Sequence, residues 1–157
     1  MKYLTLILLS AGVGCVSQPY VKNKGIDPNI PIRTTSYTHN ESSHLKYGKL
    51  TCLGTTLRHG KIVSAASDWS FLPVGTEFKI EGCDRTYIIE DIGSALVGTE
   101  TIDIYTPCRH SMKRRGTRHV NITITKMGCY HKSLAILKPR THRQHARRMV
   151  ESLEDKI

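Results

Sequence analysis

Between residues 33 and 126 the chain is a run of six short apolar or β-branched segments separated by turns, and nothing in that span has the period of a long helix. The segments are 33–38, 61–66, 76–80, 86–90, 101–105 and 119–126. The last is the cleanest. Val120, Ile122 and Ile124 fall on one face and Asn121, Thr123 and Thr125 on the other, the period of two that a half-buried strand requires. Many short strands with glycine at their ends argue for a closed all-β barrel. The order in which the strands connect does not follow from the pattern. Between the fifth and sixth strands, residues 108–115 read as a short helix with Met112 turned inward and Lys113, Arg114 and Arg115 exposed.

At 157 residues the chain holds one small domain with short flanks. Residues 1–15 form the first flank. Met1-Lys2-Tyr3 is followed by Leu4-Thr5-Leu6-Ile7-Leu8-Leu9, an apolar run too short to span a membrane but right for the core of a secretory signal. Small residues then lead into Cys15, a run that resembles the lipobox of bacterial lipoproteins, in which the cysteine becomes the lipidated first residue. Gly12 stands where leucine is commonest, and Gly12 with Gly14 equally suits ordinary signal cleavage after Gly14. Either way the expected location is the bacterial cell envelope, and lipidation would add a membrane anchor. Residues 16–32, with Pro19, Pro28 and Pro31 among Lys, Asn and Gln, read as a tether.

Export bears on the cysteines. Beyond Cys15 the chain has Cys52, Cys83, Cys108 and Cys129, an even set for which two disulfides are the natural expectation, with three connectivities open. A metal site is the rival. No pair has Cys-x-x-Cys spacing, and His39, His44, His59, His110, His119 and His131 are not at ligand intervals, so no metal or other cofactor is expected. A Cys52–His59 nucleophile pair is disfavoured because an exported thiol is usually oxidised.

Residues 128–157 form a basic C-terminal segment. Within it, 141–156 carry a helical stripe of Ala146, Met149, Val150 and Leu153, with Thr141 placed to cap it. His142, Arg143, His145, Arg147 and Arg148 crowd the first half and Glu151, Glu154 and Asp155 the last turns, opposite to what the helix dipole prefers. A solvated helix laying its stripe on the barrel is favoured over a dedicated anion-binding element. The net charge of +10 suits attraction to wall carboxylates or anionic surface polymers, or serves solubility alone. Nucleic acid is not expected as a partner, because the chain reads as exported and its barrel region has few aromatics for stacking on bases.

Three aspartates sit where a short strand meets a glycine-containing turn: Asp68 in Ser67-Asp68-Trp69, Asp91 in Glu90-Asp91-Ile92-Gly93-Ser94-Ala95, and Asp103 in Ile102-Asp103-Ile104-Tyr105. Such an aspartate is by default a turn former. Asp103, however, is flanked by apolar residues on a strand and so points to the opposite face, where shielding from water would raise its pKa as a general acid requires. Together with Arg33-Thr34-Thr35-Ser36-Tyr37, Gly54-Thr55, Leu72-Pro73-Val74-Gly75-Thr76 and the closing Arg118-His119-Val120-Asn121-Ile122, the ordered set resembles the 3D (Asp-Asp-Asp) domain of bacterial cell-wall proteins over residues 33–127. That domain also forms the catalytic part of membrane-bound lytic transglycosylase A.

The resemblance implies a six-stranded double-psi β-barrel, here with short helical insertions and a C-terminal helix, that binds and often cleaves the glycan strands of peptidoglycan. Lytic transglycosylases can work with one carboxyl, because the acid that protonates the glycosidic oxygen then takes the proton of the sugar's own C6 hydroxyl, giving a 1,6-anhydro product. Asp103 matches that acid/base, Asp91 a supporting carboxylate that raises its pKa, and Asp68 the third family aspartate, counted with the catalytic set but expected to position turns more than to do chemistry. Glu90 and Glu100 remain as substitutes. Trp69 and Tyr37 are candidate sugar-stacking rings, with core packing equally open. Gly93, Ser94 and Ala95 match the glycan-contacting loop. In that loop the family usually reads Asp-Thr-Gly-Gly-Ala-Ile-Lys-Gly, whereas Ile92, Ser94 and Val97 here replace the Thr, the second Gly and the Lys. That departure favours the second functional reading, a glycan-binding or wall-loosening module that does not cleave, as in expansins.

Overall fold

The computed structural model describes residues 31–42 and 44–157. The expected signal segment with Cys15, and all of the expected tether except Pro31 and Ile32, lie outside the described residues.

The described chain is mostly β, with three α-helices. In chain order the elements are β1 (Ile32–Tyr37), β2 (Ile62–Ala66), β3 (Glu77–Ile80), β4 (Thr86–Asp91), β5 (Thr101–Tyr105), α1 (Arg109–Arg115), β6 (Arg118–Val120), β7 (Ile122–Lys126), α2 (Tyr130–Leu137) and α3 (Gln144–Glu154). Seven strands, not the expected six, form one sheet in the order β6-β1-β5-β2-β4-β3-β7. The extra strand comes from the clean 119–126 segment, which changes partner at Asn121: β6 pairs antiparallel with β1 and β7 with β3. Asn121 marks the switch by bonding Glu81 twice, its carbonyl accepting from the Glu81 N–H at 3.0 Å and its amide donating to the Glu81 carboxylate at 2.8 Å. The outermost strands of the sheet order are thus consecutive in the chain with one residue between them, so the two edges of the sheet meet at Asn121.

Two parallel pairs, β1 with β5 and β2 with β4, are joined through the antiparallel contact of β2 with β5. Parallel neighbours need long crossovers, and the crossovers here carry the loops that surround the site. The main core holds Val63, Ala65, Trp69, Leu72, Phe78, Ile89, Ile102 and Ile104. The α3 stripe of Ala146, Met149, Val150 and Leu153 joins that core, as the sequence pattern predicts. The cap does not follow the pattern. α3 starts at Gln144 after Arg143, and Thr141 instead closes a preceding 3-10 turn, Lys138–Arg140.

Helix α2 docks on the turn between β2 and β3. The buried Ser133 hydroxyl accepts from the Val74 N–H at 2.9 Å and donates to the Cys129 carbonyl at 3.1 Å, while the Cys129 N–H donates to the Val74 carbonyl at 3.2 Å. Gly128 runs against this turn so closely that a Cβ there would overlap the carbonyls of Pro73 and Val74. Backbone atoms on both sides cannot retreat. Gly128→Ala is therefore expected to lower stability by about 1–3 kcal/mol, the usual cost of overpacking, read as a reduced urea midpoint; an unchanged midpoint would show the turn to be yielding.

Candidate active site

Strand register assembles one row of side chains. On the neighbouring strands β1, β5, β2 and β4, Thr35 lies beside Asp103, Asp103 beside Ala66, and Ala66 beside Asp91. Residues in register share a face of the sheet, and two strand spacings put the Cα atoms of the two aspartates roughly 10 Å apart. Between them stands Ala66, itself buried, and the Tyr37 side chain reaches across from β1 to Asp91.

Asp103 sits between Ile102 and Ile104, both buried in the main core, and emerges half-buried on the opposite face. Its Oδ1 accepts from the Thr35 hydroxyl at 2.7 Å, and among the described residues no protein group donates to Oδ2. Burial pushes its pKa up to about 6, against the Thr35 hydrogen bond; the carboxylates of Glu41 and Asp91 add to the rise and Arg33 opposes it. A carboxyl with one oxygen anchored, one free and a proton held to mildly acidic pH is equipped to donate that proton.

Asp91 is built differently. Its Oδ1 accepts the backbone N–H groups of Cys52 at 2.9 Å and Ile92 at 3.0 Å, and its Oδ2 accepts from the Tyr37 phenol at 3.0 Å. Burial raises its pKa too, but these donors and the nearby His44 work the other way. Both oxygens are engaged, so Asp91 ties β1, β4 and the turn at Cys52 together and presents its charge to Asp103. The Tyr37 phenol is driven to a very high pKa by burial and by Asp91, which keeps it a donor.

Asp68 is a loop clamp. Oδ1 accepts the Ser70 N–H and hydroxyl, each at 2.8 Å, and Oδ2 accepts the Gly98 N–H at 2.7 Å. Its carboxyl is saturated, which corrects the expectation of a catalytic part and agrees with the turn-positioning one. Gly98 closes the loop after Asp91, so the clamp fixes the segment of Gly93, Ser94 and Ala95. Ser94 and Ala95 are exposed there, and Leu96 is buried beneath them.

Both proposed stacking rings are corrected. Trp69 is 0% exposed, and its indole N–H donates to the Asp91 carbonyl at 3.0 Å. Tyr37 is 8% exposed, with its hydroxyl spent on Asp91. Neither offers a face to a sugar. Glu90 is buried in a two-pronged ion pair with Arg58, its Oε1 accepting from Nε at 3.2 Å, and it also accepts from Ser64. It is therefore no substitute acid, and Glu100 is exposed.

All four cysteines in the described chain are free thiols, contrary to the expected disulfides. Each has a separate neighbourhood: Cys52 faces the Glu90 carbonyl, Cys83 the Tyr87 hydroxyl at 3.3 Å, Cys129 accepts the Lys132 N–H at the start of α2, and Cys108 is exposed before α1. Burial pushes the Cys52 thiol far up, so it is not a nucleophile paired with His59.

Several contributors have no periodic signal in the sequence. A second apolar cluster of Tyr37, Leu57, Ala66, Leu96 and Tyr105 packs around the row and shields it from water. From it a chain of rings leads outward, with centroids 5.6 Å apart for Tyr105 and Tyr37, 5.7 Å for Tyr37 and His44, and 6.0 Å for His44 and Tyr47. Tyr47 ends the chain 37% exposed. The Arg143 guanidinium donates to its hydroxyl at 3.0 Å, and the Lys46 ammonium lies 4.8 Å from its ring centroid. Turn residues after β1 thus supply Glu41, His44, Tyr47 and the Cys52 N–H, each brought in by long-range packing.

The span from β2 to β7, which contains all three aspartates, has a relative among known families. Residues 63–126 match the model of the 3D domain family. No curated protein matches the chain. The matched 3D domain contains Asp68, Asp91 and Asp103, whereas Thr35 and Tyr37, which hold the two acids of the row, come from β1 ahead of the matched stretch.

Proposed function

We propose that residues 33–127 form a double-psi β-barrel of the bacterial cell envelope that binds peptidoglycan glycan strands and cleaves the MurNAc-GlcNAc β-1,4 bond as a lytic transglycosylase. The observation that carries this reading is Asp103, with one oxygen held by Thr35, the other free, and a pKa near the top of the mildly acidic range. The barrel reading is supported by the two parallel strand pairs and the meeting of the sheet edges at Asn121. Export and a lipid anchor at Cys15, with residues 16–32 as the tether, complete the reading.

In the proposed reaction the protonated Asp103 gives its proton to the glycosidic oxygen as the bond to C1 breaks. The C6 hydroxyl of the same sugar closes on C1, and the Asp103 carboxylate takes the hydroxyl proton, which restores the acid. Asp91 keeps the proton on Asp103 between turnovers through its negative charge. Mass analysis of the soluble products of purified sacculi separates cleavage from binding alone: 1,6-anhydro-muropeptides support the enzyme, and retention on sacculi with no released products supports the wall-loosening module that the altered Ile92-Gly93-Ser94 run favours.

Tyr47 takes the stacking role in place of Trp69 and Tyr37. It is the exposed end of the ring chain, and its flanking cations hold it in place without covering it fully. Tyr47→Ala is expected to raise KM for glycan about tenfold with little change in kcat, the loss of one aromatic contact made equally before and during reaction. An unchanged KM would remove the platform.

A further inference from the structure

Away from the acidic row, the end of β5, helix α1 and the start of β6 border an open cleft of about 280 Å³ lined by His59, Thr106, Ser111, Arg114, Arg115 and Arg118. We propose that this cleft binds a phosphoryl group, independently of whether the chain cleaves glycan. Ser111, Arg114 and Arg115 lie three and four residues apart and so share one face of α1. The Arg118 Nε–H is anchored on the Arg115 carbonyl at 3.0 Å. His59 is oriented by the Tyr105 carbonyl, which lies 3.2 Å from its Nδ1, and Arg85 approaches its other nitrogen at 3.5 Å.

No carboxylate lines the cleft, and the ion pairs among the described residues use Arg58, Lys126 and Lys138, none of them here. The Nε of Arg115 is buried without an acceptor. A buried guanidinium donor without a partner is costly, and Arg115 lines the cleft, where an anion bound to its guanidinium would offset that cost. Burial lowers the pKa of His59 against the Tyr105 carbonyl, and the neighbouring Arg85 and Arg115 add to the lowering. The ligand class follows from charge and donor count. One carboxylate would leave most of three guanidinium forks unanswered, whereas a phosphoryl group presents several unbridged oxygens, and the Thr106 and Ser111 hydroxyls add neutral donors.

Two sources supply that chemistry, free phosphate and a phosphodiester wall polymer. Calorimetric titration of the purified chain with inorganic phosphate, with a glycerol-phosphate oligomer and with acetate distinguishes them. Phosphate-bearing probes are expected to bind and acetate not to. Arg115→Gln, and separately the exposed Arg114→Gln, should each weaken binding about tenfold or more, the scale of one charge-assisted contact, with circular dichroism unchanged at least in the Arg114 variant. Tighter binding of the oligomer than of inorganic phosphate supports the site with a polymer as its source; equal binding supports it with free phosphate. Binding of neither phosphate probe, equal binding of acetate, or wild-type affinity in the folded Arg114→Gln variant overturns the proposal.

Discussion

Replacing Asp103 by Asn is expected to cut glycan cleavage by roughly 10²–10⁴-fold, the usual contribution of a positioned general acid, while making the folded protein more stable at neutral pH. The amide keeps the shape and still accepts the Thr35 hydroxyl, which donates to Oδ1 at 2.7 Å, but it has no acidic proton to give. The stability gain follows from the direction of the pKa shift. The folded carboxyl titrates at about 6 against an ordinary 3.8, so its contribution to stability is complete below the ordinary value and is lost as pH rises through about 6. Ionised at neutral pH, the side chain costs up to about 3 kcal/mol, and Asn carries no such charge. Urea unfolding of both proteins at acidic and neutral pH measures the effect: the variant should lead at neutral pH and the gap should close below the ordinary carboxylate range. A variant that is equally active, or less stable at neutral pH, contradicts the assignment.

Asp91 is expected to divide into two effects. Asp91→Ala orphans the buried N–H of Cys52, that of Ile92 and the Tyr37 phenol at once. Each orphaned donor costs about 1–3 kcal/mol, so unfolding or a large fall in the urea midpoint is the expected result. Asp91→Asn keeps an oxygen for both N–H groups, removes the charge, and puts an amide nitrogen where Oδ2 accepted from the Tyr37 phenol. Since the Asp91 carboxylate helps to raise the pKa of Asp103, its removal moves the alkaline limb of the cleavage profile to lower pH, with a smaller loss at the optimum than Asp103→Asn shows. A profile that stays in place would mean that the two acids of the row do not feel each other.

Much of the strand pattern was legible from residues 33–126, because the period of two is local: β2 to β5 fall within a residue or so of the expected segments. The break at Asn121 was not, because Val120, Ile122 and Ile124 keep one face through it and only the change of partner from β1 to β3 reveals it. Helix α2 escaped for a related reason. Ser133 is a polar residue on its buried side, and what makes it fit is the Val74 N–H from a turn far away in sequence. At the site, Asp103 was readable from its two isoleucine neighbours, whereas the division of labour between Asp91 and Asp68 depended on hydrogen bonds from Tyr37, Cys52 and Gly98. Trp69 suited a platform as well as a core until the Asp91 carbonyl was seen to take its N–H. The even number of cysteines carried no information about distance, and the four thiols lie in separate surroundings.

The most direct test of Asp103 as the acid is the rate of 1,6-anhydro-muropeptide release from purified sacculi measured across pH. With the carboxyl titrating at about 6, kcat/KM should be highest below that value and fall about tenfold for each further pH unit above it. No anhydro product at any pH, or a rate still rising well above pH 6, would contradict the account.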